Sequence, residues 1–126
     1  MIAIDSRSFI AYLSGAQGPD VDATAVALEH KLAVLPPVVL CELLSDPKVS
    51  RSVKALFIGL PVLEVTVGYW KRAGLLRARA IESGRRARLA DTLIAQSCLD
   101  HHVALVTRDA DFRSFTRGGL RLAVRS

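Results

Sequence analysis

The sequence predicts an α/β protein whose central sheet is mainly parallel and is covered by helices on both faces. Short apolar runs rich in β-branched residues alternate along the chain with segments whose apolar residues recur at helical spacing, as expected for βαβ units. A chain of 126 residues, 51% of them hydrophobic, is long enough to enclose one core without disulfides. Since no Pro- or Gly-rich linker divides the chain, we expect residues 1–126 to form a single domain.

Residues 1–67 contain three predicted strands and four predicted helices. The strands are short apolar runs, at Met1–Ile4, Leu32–Leu35 and Val62–Val67. The helices have apolar residues at helical spacing and lie at Phe9–Gly15, from Asp20 or Asp22 to Leu32, at Pro37–Ser45, and at Lys48–Leu60. Asp20 or Asp22 is the expected N-cap of the second helix, and Pro37 suits the first turn of the third.

Residues 69–124 continue the alternation of helix and strand. A long basic helix is predicted at Tyr69–Glu82, with Trp70, Ala73, Leu76 and Ala80 forming its buried stripe. The remaining predicted elements are, in order, a helix at Arg88–His101, a buried strand at Val103–Val106, a helical turn or two at Asp109–Phe115, and a strand at Leu120–Val124.

The charge balance makes a polyanion a plausible partner. Lys and Arg number 17 against 12 Asp and Glu, a formal net charge of +5. Seven of the basic residues lie between Lys71 and Arg88, opposed only by Glu82. Arginine binds phosphate in a bidentate fashion, and basic charge attracts nucleic acid to a surface. The alternative for each arginine is an ordinary solvated position.

Other sequence features exclude several protein classes. The longest apolar stretch, Leu32–Leu44, is interrupted by two prolines and an acid, whereas a membrane span needs about 20 apolar residues. The first residues lack the pattern of an export signal, so we expect a cytoplasmic protein. Cys41 and Cys98 are expected to be free, buried thiols, because their neighbours are apolar and their spacing fits no zinc motif.

Two acids follow predicted strands. Asp5 comes directly after the first strand, and Asp109 lies just beyond Val103–Val106. The carboxyl edge of an open parallel sheet is where ligands bind, so both acids are expected at a functional edge. The alternative is that each only caps the helix that follows it.

Two further acids lie on predicted helices. Glu42 follows Val38 and Val39 by one helical turn, which places it among apolar side chains, where a carboxylate needs a counter-charge. The alternative is a half-exposed Glu whose stem lies at the edge of the core. Asp91 lies at the start of its helix and is either a site residue or a cap.

Convergence of Asp5, Glu42, Asp91 and Asp109 would require a cation. Four carboxylates at one edge repel one another unless a positive ion neutralises them. Mg²⁺ or Mn²⁺ takes oxygen ligands and leaves positions for phosphate oxygens, so the set favours phosphodiester cleavage.

The chain resembles PIN-domain proteins, in particular toxin ribonucleases of the VapC type from toxin–antitoxin systems. Four segments carry the resemblance and occur in the family's order and spacing: Ile4–Leu13, Val38–Leu44, Leu89–Ala95 and Leu105–Phe112. The resemblance implies a PIN-like α/β/α sandwich and a metal-dependent endoribonuclease that uses Mg²⁺ or Mn²⁺.

The resemblance also implies roles for individual residues. Asp5, Asp91 and Asp109 would hold the metal, and Glu42 would orient water or a second ion. Asp111 is a possible fifth acid. Ser6 and Thr107 would support the site through their hydroxyl groups, or be ordinary capping or turn residues. The chain departs from the family at Arg7, where relatives carry a small polar residue; this cation either contacts substrate phosphate or weakens metal binding.

The expected partners are single-stranded or looped RNA, a small antitoxin of the VapB type and a second copy of the chain. The arginines near the predicted edge are candidates for RNA contacts: Arg7, Arg85, Arg86, Arg88 and Arg108. The resemblance implies that an antitoxin tail occupies a hydrophobic groove and inserts a basic residue among the acids. Apolar candidates for that groove or for a dimer face are Tyr12, Leu56, Phe57 and Trp70, with burial in the core as the alternative.

Two other functions remain as alternatives. The chain could be a catalytically silent PIN-like module that only binds RNA or a protein. A phosphoacceptor receiver domain also carries acids at its sheet edge, but it needs a lysine after a late strand, and no lysine follows Lys71.

Overall fold

The fold is α/β and is built around a parallel sheet. The computed structural model describes residues 1–124. Its three strands are β1 (Ile2–Ile4), β2 (Ala33–Val34) and β3 (Ala104–Val106), in the spatial order β2-β1-β3. Both pairings are parallel, with Ile2 opposite Ala33 and Ile4 opposite Val106. The predicted fold class is therefore confirmed.

Six α-helices and one 3-10 helix surround the sheet in the described part of the chain. They are α1 (Ser6–Leu13), α2 (Pro19–Glu29), α3 (Pro37–Leu44), α4 (Arg51–Gly59), α5 (Tyr69–Glu82), α6 (Leu89–His101) and the 3-10 helix Ala110–Gly118. No helix within residues 1–124 has the length and apolar character needed to cross a bilayer.

Local sequence determines where most of the helices begin. Asp5 caps α1 by accepting a hydrogen bond from the Ser6 amide, and Ser50 caps α4 by accepting one from the Val53 amide. Pro37 stands in the first turn of α3, as predicted. The prediction of an Asp cap for α2 is wrong: Gly18 occupies that position, and the Asp20 side chain points to Ser8 and Arg108 instead.

Two predicted strands are wrong. Of Val62–Val67 only Val62 pairs, in a single parallel bridge with Leu35, and of Leu120–Val124 only Leu122 pairs, with Leu105. The segment Val62–Val67 does not form a strand because its side chains are largely exposed to water. Val65 and Val67 are 49% and 99% exposed, so the alternating pattern does not rest on the core.

Two predicted burials are also wrong. Trp70 is 66% exposed, and Tyr69, one residue earlier, takes the buried place on the stripe of α5. The Tyr69 hydroxyl donates to the Leu93 carbonyl at 2.7 Å, so the ring is buried and its hydroxyl group is hydrogen-bonded.

The second wrong burial is that of Cys41, which is exposed, whereas Cys98 is a buried free thiol as expected. Burial raises the pKa of Cys98 to about 12, which keeps it neutral and unreactive.

Aromatic packing holds α1 and α4 together on the core. Phe9 and Phe57 are almost completely buried, and their rings meet edge to face with centroids 5.2 Å apart. Phe57 is therefore a core residue. Ala3 and Ile4 of β1 lie within the same core, so α1 is held directly after the end of β1.

The contrast between Phe57 and Trp70 can be measured. We expect Phe57→Ala to lower the free energy of unfolding by about 3–5 kcal/mol, because it leaves a cavity in the core. Trp70→Ala should lower it by about 1 kcal/mol or less, since most of that ring already contacts water. Chemical denaturation of both variants measures the difference. Equal losses of unfolding free energy would contradict the finding that Phe57 is buried and Trp70 is exposed.

Candidate metal centre

The parallel pairing of β1 and β3 places Asp5 and Thr107 side by side. The Asp5 amide donates to the Val106 carbonyl at 2.9 Å, so the two strands end together. The Asp5 carboxylate is 4% exposed. Its Oδ1 accepts from the Ser6 amide at 2.9 Å and its Oδ2 from the Thr107 hydroxyl at 2.8 Å. Asp5 is therefore both a helix cap and a member of the sheet edge, so the two interpretations of this residue are compatible.

Thr107 connects Asp5 to Asp109. The Asp109 amide donates to Thr107 Oγ1 at 3.0 Å, while that hydroxyl donates to Asp5. Asp109 then caps the 3-10 helix, with its Oδ1 accepting from the Asp111 amide at 2.9 Å. The capping bond orients the Asp109 carboxylate, whose second oxygen, Oδ2, lies 3.8 Å from Arg7 Nη1.

Three aspartates form the tightest acidic cluster in the described part of the chain. One carboxylate oxygen from each of Asp91, Asp109 and Asp111 lies within 4.8 Å of the others. Asp91 comes from the first turn of α6, and the other two from the start of the 3-10 helix. The structure thus brings together two of the predicted acids with Asp111, which the sequence offered only as a possible fifth. Asp5 lies next to this cluster and outside it.

Burial and mutual repulsion raise the pKa of two of these acids. Burial raises the pKa of Asp5 to about 6, and the charges of Glu42 and Asp91 add to the shift, while the hydrogen bonds from Thr107 and Ser6 oppose it. Burial also raises the pKa of Asp91, and the charges of Asp109 and Asp111 raise it further. Without a cation, burial and the neighbouring carboxylates therefore disfavour the charged form of both groups.

Glu42 reaches the site from α3, but its surroundings differ from those predicted. Val39 and Leu43 turn inward to the core, whereas Glu42 is exposed to water at the wall of an apolar groove, so the predicted need for a counter-charge is wrong. Its Oε1 accepts a hydrogen bond from the Ser6 hydroxyl at 3.1 Å. Ser6 therefore links Glu42 to Asp5, and the carboxylate remains open to water.

Two of the predicted RNA-contacting arginines border the cluster at long distance. Arg7 Nη1 lies 3.8 Å from Asp109 Oδ2, and Arg86 Nε lies 3.7 Å from Asp111 Oδ2. Both arginine side chains are more than 60% exposed. Pairs of this length and exposure are weak, so either guanidinium can turn to an incoming phosphate. Arg85 and Arg88 are exposed in the segment before α6.

Arg108 has a different role from the other four arginines. Its Nε donates to Asp20 Oδ2 at 2.8 Å and its Nη2 to Asp20 Oδ1 at 3.2 Å, a bidentate pair with a nearly buried carboxylate. The Ser8 hydroxyl donates to the same carboxylate at 2.8 Å. The pairing lowers the pKa of Asp20 and occupies the fork that would bind a phosphate. Arg108 therefore ties the segment between Thr107 and Asp109 to α2.

The Asp20–Arg108 pair is the functional feature that sequence reasoning missed. The two residues are 88 positions apart, and one sequence gives no sign that they meet. The only available signal was that Asp20 lies in the first turn of a helix that Pro19 already starts, which leaves its carboxylate free for another partner.

Comparison with known proteins agrees with this geometry. A sequence model of the PIN domain matches residues 2–118. The chain belongs to the PIN domain family. This confirms the family resemblance, and PIN domains are generally nucleases that typically require divalent metal ions. A search of curated protein sequences gave no significant match.

Solved structures share this PIN fold. The FitAcB crystal structure from Neisseria gonorrhoeae superimposes with a TM-score of 0.73 at 20% identity, covering 97% of this chain and 96% of that chain. A structure described as FitAB bound to an IR36 DNA fragment gives a TM-score of 0.72 at 19% identity, covering 97% and 93%. At these identities the similarity establishes the fold.

The acidic cluster of this PIN domain fits a hard divalent cation. Asp91 Oδ2 is buried and has no hydrogen-bond partner within residues 1–124. A buried, unpartnered carboxylate oxygen is unfavourable, and it is suited to be a metal ligand. The nearby donors are all carboxylate oxygens, the ligands that Mg²⁺ and Mn²⁺ prefer. Asp91, Asp109 and Asp111 are thus the residues of the PIN domain best placed to hold such an ion.

The unpartnered oxygen of Asp91 leads to opposite effects on stability and on metal binding. In EDTA we expect Asp91→Asn to raise the free energy of unfolding by about 1 kcal/mol, because it removes a charge repelled by Asp109 and Asp111. In millimolar Mg²⁺ or Mn²⁺ the wild type should gain stability, and the variant should gain little. Thermal unfolding with and without metal measures both effects. A variant that responds to metal as the wild type does would contradict the assignment.

The raised pKa of Asp5 predicts the direction of a pH effect. Between pH 3.8 and about 6 the folded state holds a proton that the unfolded state has lost, so in EDTA stability should fall as pH rises through this window. The full shift corresponds to about 3 kcal/mol. The difference in unfolding free energy between the wild type and Asp5→Asn, measured by denaturation from pH 4 to 7, isolates this contribution. A difference that does not change with pH would show that Asp5 titrates normally.

Proposed function

We propose that this PIN domain is a metal-dependent endoribonuclease that hydrolyses RNA phosphodiester bonds, and that it is the toxin of a toxin–antitoxin pair. The observation that carries the nuclease proposal is the cluster of Asp91, Asp109 and Asp111, with a buried and unpartnered oxygen on Asp91. The resemblance of the sequence to VapC-type toxins supports RNA as the substrate. We place the protein in the cytoplasm, with residues 1–126 acting as one domain.

The residues of the site have distinct roles in this mechanism. Asp91, Asp109 and Asp111 would hold Mg²⁺ or Mn²⁺, which when bound polarises the scissile phosphate and lowers the pKa of water. Asp5 and Thr107 fix the position of the Asp109 backbone through two hydrogen bonds. Asp5, which interacts with the charges of Glu42 and Asp91, would act on a further ion or on water at the same edge.

Groups at the rim would position water and substrate. Glu42 is exposed and is held by the Ser6 hydroxyl, so its free oxygen can accept a proton or orient the attacking water. Arg7 and Arg86 can leave their weak pairs with Asp109 and Asp111 and bind the phosphate that enters between them. Arg85 and Arg88 extend the basic surface beside Arg86.

A groove beside Glu42 supports the proposal of an antitoxin partner. It has a volume of about 270 Å³ and is lined by Ile10, Leu13, Leu43, Val53 and Phe57, with Glu42 and Asp46 also at its wall. An apolar helix with one basic residue matches this combination of surfaces. The resemblance of the sequence to VapC-type toxins supports the same partner.

A homodimer is also part of the proposal. Leu56 and Trp70 are 38% and 66% exposed and remain candidates for an interface, whereas Phe57 lies in the core and Tyr12 is half-buried. Large exposed apolar side chains, aromatic ones above all, are common at the centre of protein interfaces.

One observation favours the alternative of a silent RNA- or protein-binding PIN domain. Arg7 and Arg86 each lie next to an acid of the cluster and partly neutralise it without a metal. If these arginines replaced the ion, the domain would still bind RNA and would not cut it.

Cleavage of a mixed RNA pool tests the proposed function. With Mn²⁺ or Mg²⁺ we expect cleavage by the wild type, and a loss of at least about a hundredfold for Asp91→Asn and Asp109→Asn, because each removes a metal ligand. Asp22→Asn is the matched control, since Asp22 is exposed on α2 away from the cluster. Single-stranded DNA of the same sequences tests the preference for RNA.

Cutting that persists undiminished in EDTA or in Asp91→Asn would exclude the metal mechanism. RNA binding without cleavage under any metal condition would favour the silent domain.

A further inference from the structure

A small pocket rich in arginine lies between the end of α5 and the end of the 3-10 helix. Its volume is about 160 Å³, and its polar lining consists of Arg79, Ser83, Arg85, Ser114 and Arg117. We call this the arginine pocket. Its floor is apolar and tightly built: a Cβ atom added to Gly118 would lie 2.8 Å from Leu76 Cδ1. The pocket is therefore formed by the packing of α5 against the 3-10 helix.

The three arginines of the pocket have no acidic partners within residues 1–124. Arg72 and Arg108 each bind an aspartate at 2.8 Å. By contrast, Arg79, Arg85 and Arg117 form no ion pair or side-chain hydrogen bond to any of the residues that the structure describes. Among the described residues, no carboxylate lines the pocket. Like charges that line one pocket repel one another, and an anion bound there would relieve the repulsion.

Backbone carbonyl groups do not satisfy these arginines. The last carbonyls of α5 are already bonded: Arg79 to the Ser83 amide at 3.1 Å, Ala80 to the Arg85 amide at 2.9 Å, and Ile81 to the Gly84 amide at 2.9 Å. The negative end of the helix dipole attracts basic residues to a last turn, but that attraction is weak at an exposed position. The polar side chains that line the pocket are three arginines and two serines.

We propose that the arginine pocket binds a backbone phosphate of the RNA, a few nucleotides from the phosphate that is cleaved. This inference rests on the proposed function and adds a second contact point for the same substrate. Guanidinium forks with hydroxyl groups are suited to a phosphate, whose oxygens accept several charge-assisted hydrogen bonds. The three arginines and two serines of the lining supply donors that suit phosphate oxygens, which favours contact with the backbone over recognition of a base.

The pocket is directly connected to the acidic cluster by two segments. Arg85 lines the pocket, and its chain neighbour Arg86 reaches Asp111 of the cluster at 3.7 Å. Ser114 lies one turn of the 3-10 helix after Asp111, a rise of about 6 Å. A single RNA strand can therefore follow the same path, with one phosphate at the cluster and another in the pocket.

A second phosphate contact at a fixed separation would set the register of the strand. Binding energy from a phosphate remote from the reaction would hold the scissile phosphate in position, which is the effect of orientation on catalysis. Arg79 and Arg117 are accordingly positioning residues.

Binding of fluorescein-labelled single-stranded RNA in EDTA tests the pocket without cleavage. Fluorescence anisotropy of the full chain is measured from about 50 to 200 mM salt. The test variant is Arg79→Gln with Arg117→Gln. The matched control is Arg51→Gln with Lys54→Gln, which removes the same charge from exposed positions on α4. Thermal unfolding of both variants verifies that they fold.

We expect the test variant to bind about tenfold more weakly and the control to change by less than about twofold. The slope of log affinity against log salt should fall by about 0.7 for the phosphate contact that is lost. Under cleavage conditions, RNA cleavage by the test variant should still depend on Mn²⁺. The cleavage positions in the RNA should change, because the pocket no longer fixes the register of the strand.

Equal weakening of the test and control variants would show a general charge effect and would overturn the proposal. So would unchanged binding by a folded test variant. A third outcome is that inorganic phosphate stabilises the wild type and not the test variant while both bind RNA equally well. The pocket would then be a site for free anions only, which would also overturn the proposal.

If the wild type cleaves RNA and the pocket variants bind RNA normally, only this inference fails. If RNA binds through the pocket and no metal supports cleavage, only the nuclease function fails.

Discussion

Repulsion between carboxylates at the carboxyl edge of the sheet is the constraint on which the site depends. The parallel pairing of β1 and β3 fixes Asp5 beside Thr107, and the 3-10 helix that follows β3 carries Asp109 and Asp111 to the first turn of α6. The fold thus concentrates negative charge where water is scarce. Such an arrangement lowers the stability of the empty protein and raises its affinity for a cation, so stability and function are opposed at the same residues.

The surroundings of the cluster limit this repulsion without removing it. Thr107 and backbone amides satisfy Asp5, and capping bonds hold Asp109. Arg7 and Arg86 lie at 3.8 and 3.7 Å, near enough to attenuate the charge and far enough to be displaced. The closer pair of Arg108 with Asp20 anchors the segment between Thr107 and Asp109. The strong ion pair, Arg108 with Asp20, therefore lies outside the cluster, and the ion pairs made by the aspartates of the cluster are weak.

Much of the fold could be predicted, because local signals determine it. Apolar runs located all three strands, and caps or prolines marked the starts of α1 and α3. The helical spacing of apolar residues in α5 did not decide whether Tyr69 or Trp70 is buried, because the two aromatic residues are adjacent in the sequence. The sequence also predicted an acidic site, but whether Asp5 or Asp111 joins Asp91 and Asp109 depends on loop geometry. The Asp20–Arg108 pair depends on tertiary packing and has no local signal.

The proposed metal centre consists of Asp91, Asp109 and Asp111, which together would hold a divalent metal ion. Anomalous X-ray diffraction from crystals of the protein grown with Mn²⁺ tests it most directly, because manganese scatters anomalously and the carboxylates do not. We expect a strong anomalous-difference peak among these three side chains, with Asp91 Oδ2 as a direct ligand of the manganese ion. A peak elsewhere, or an ordered cluster without one at saturating Mn²⁺, would contradict it.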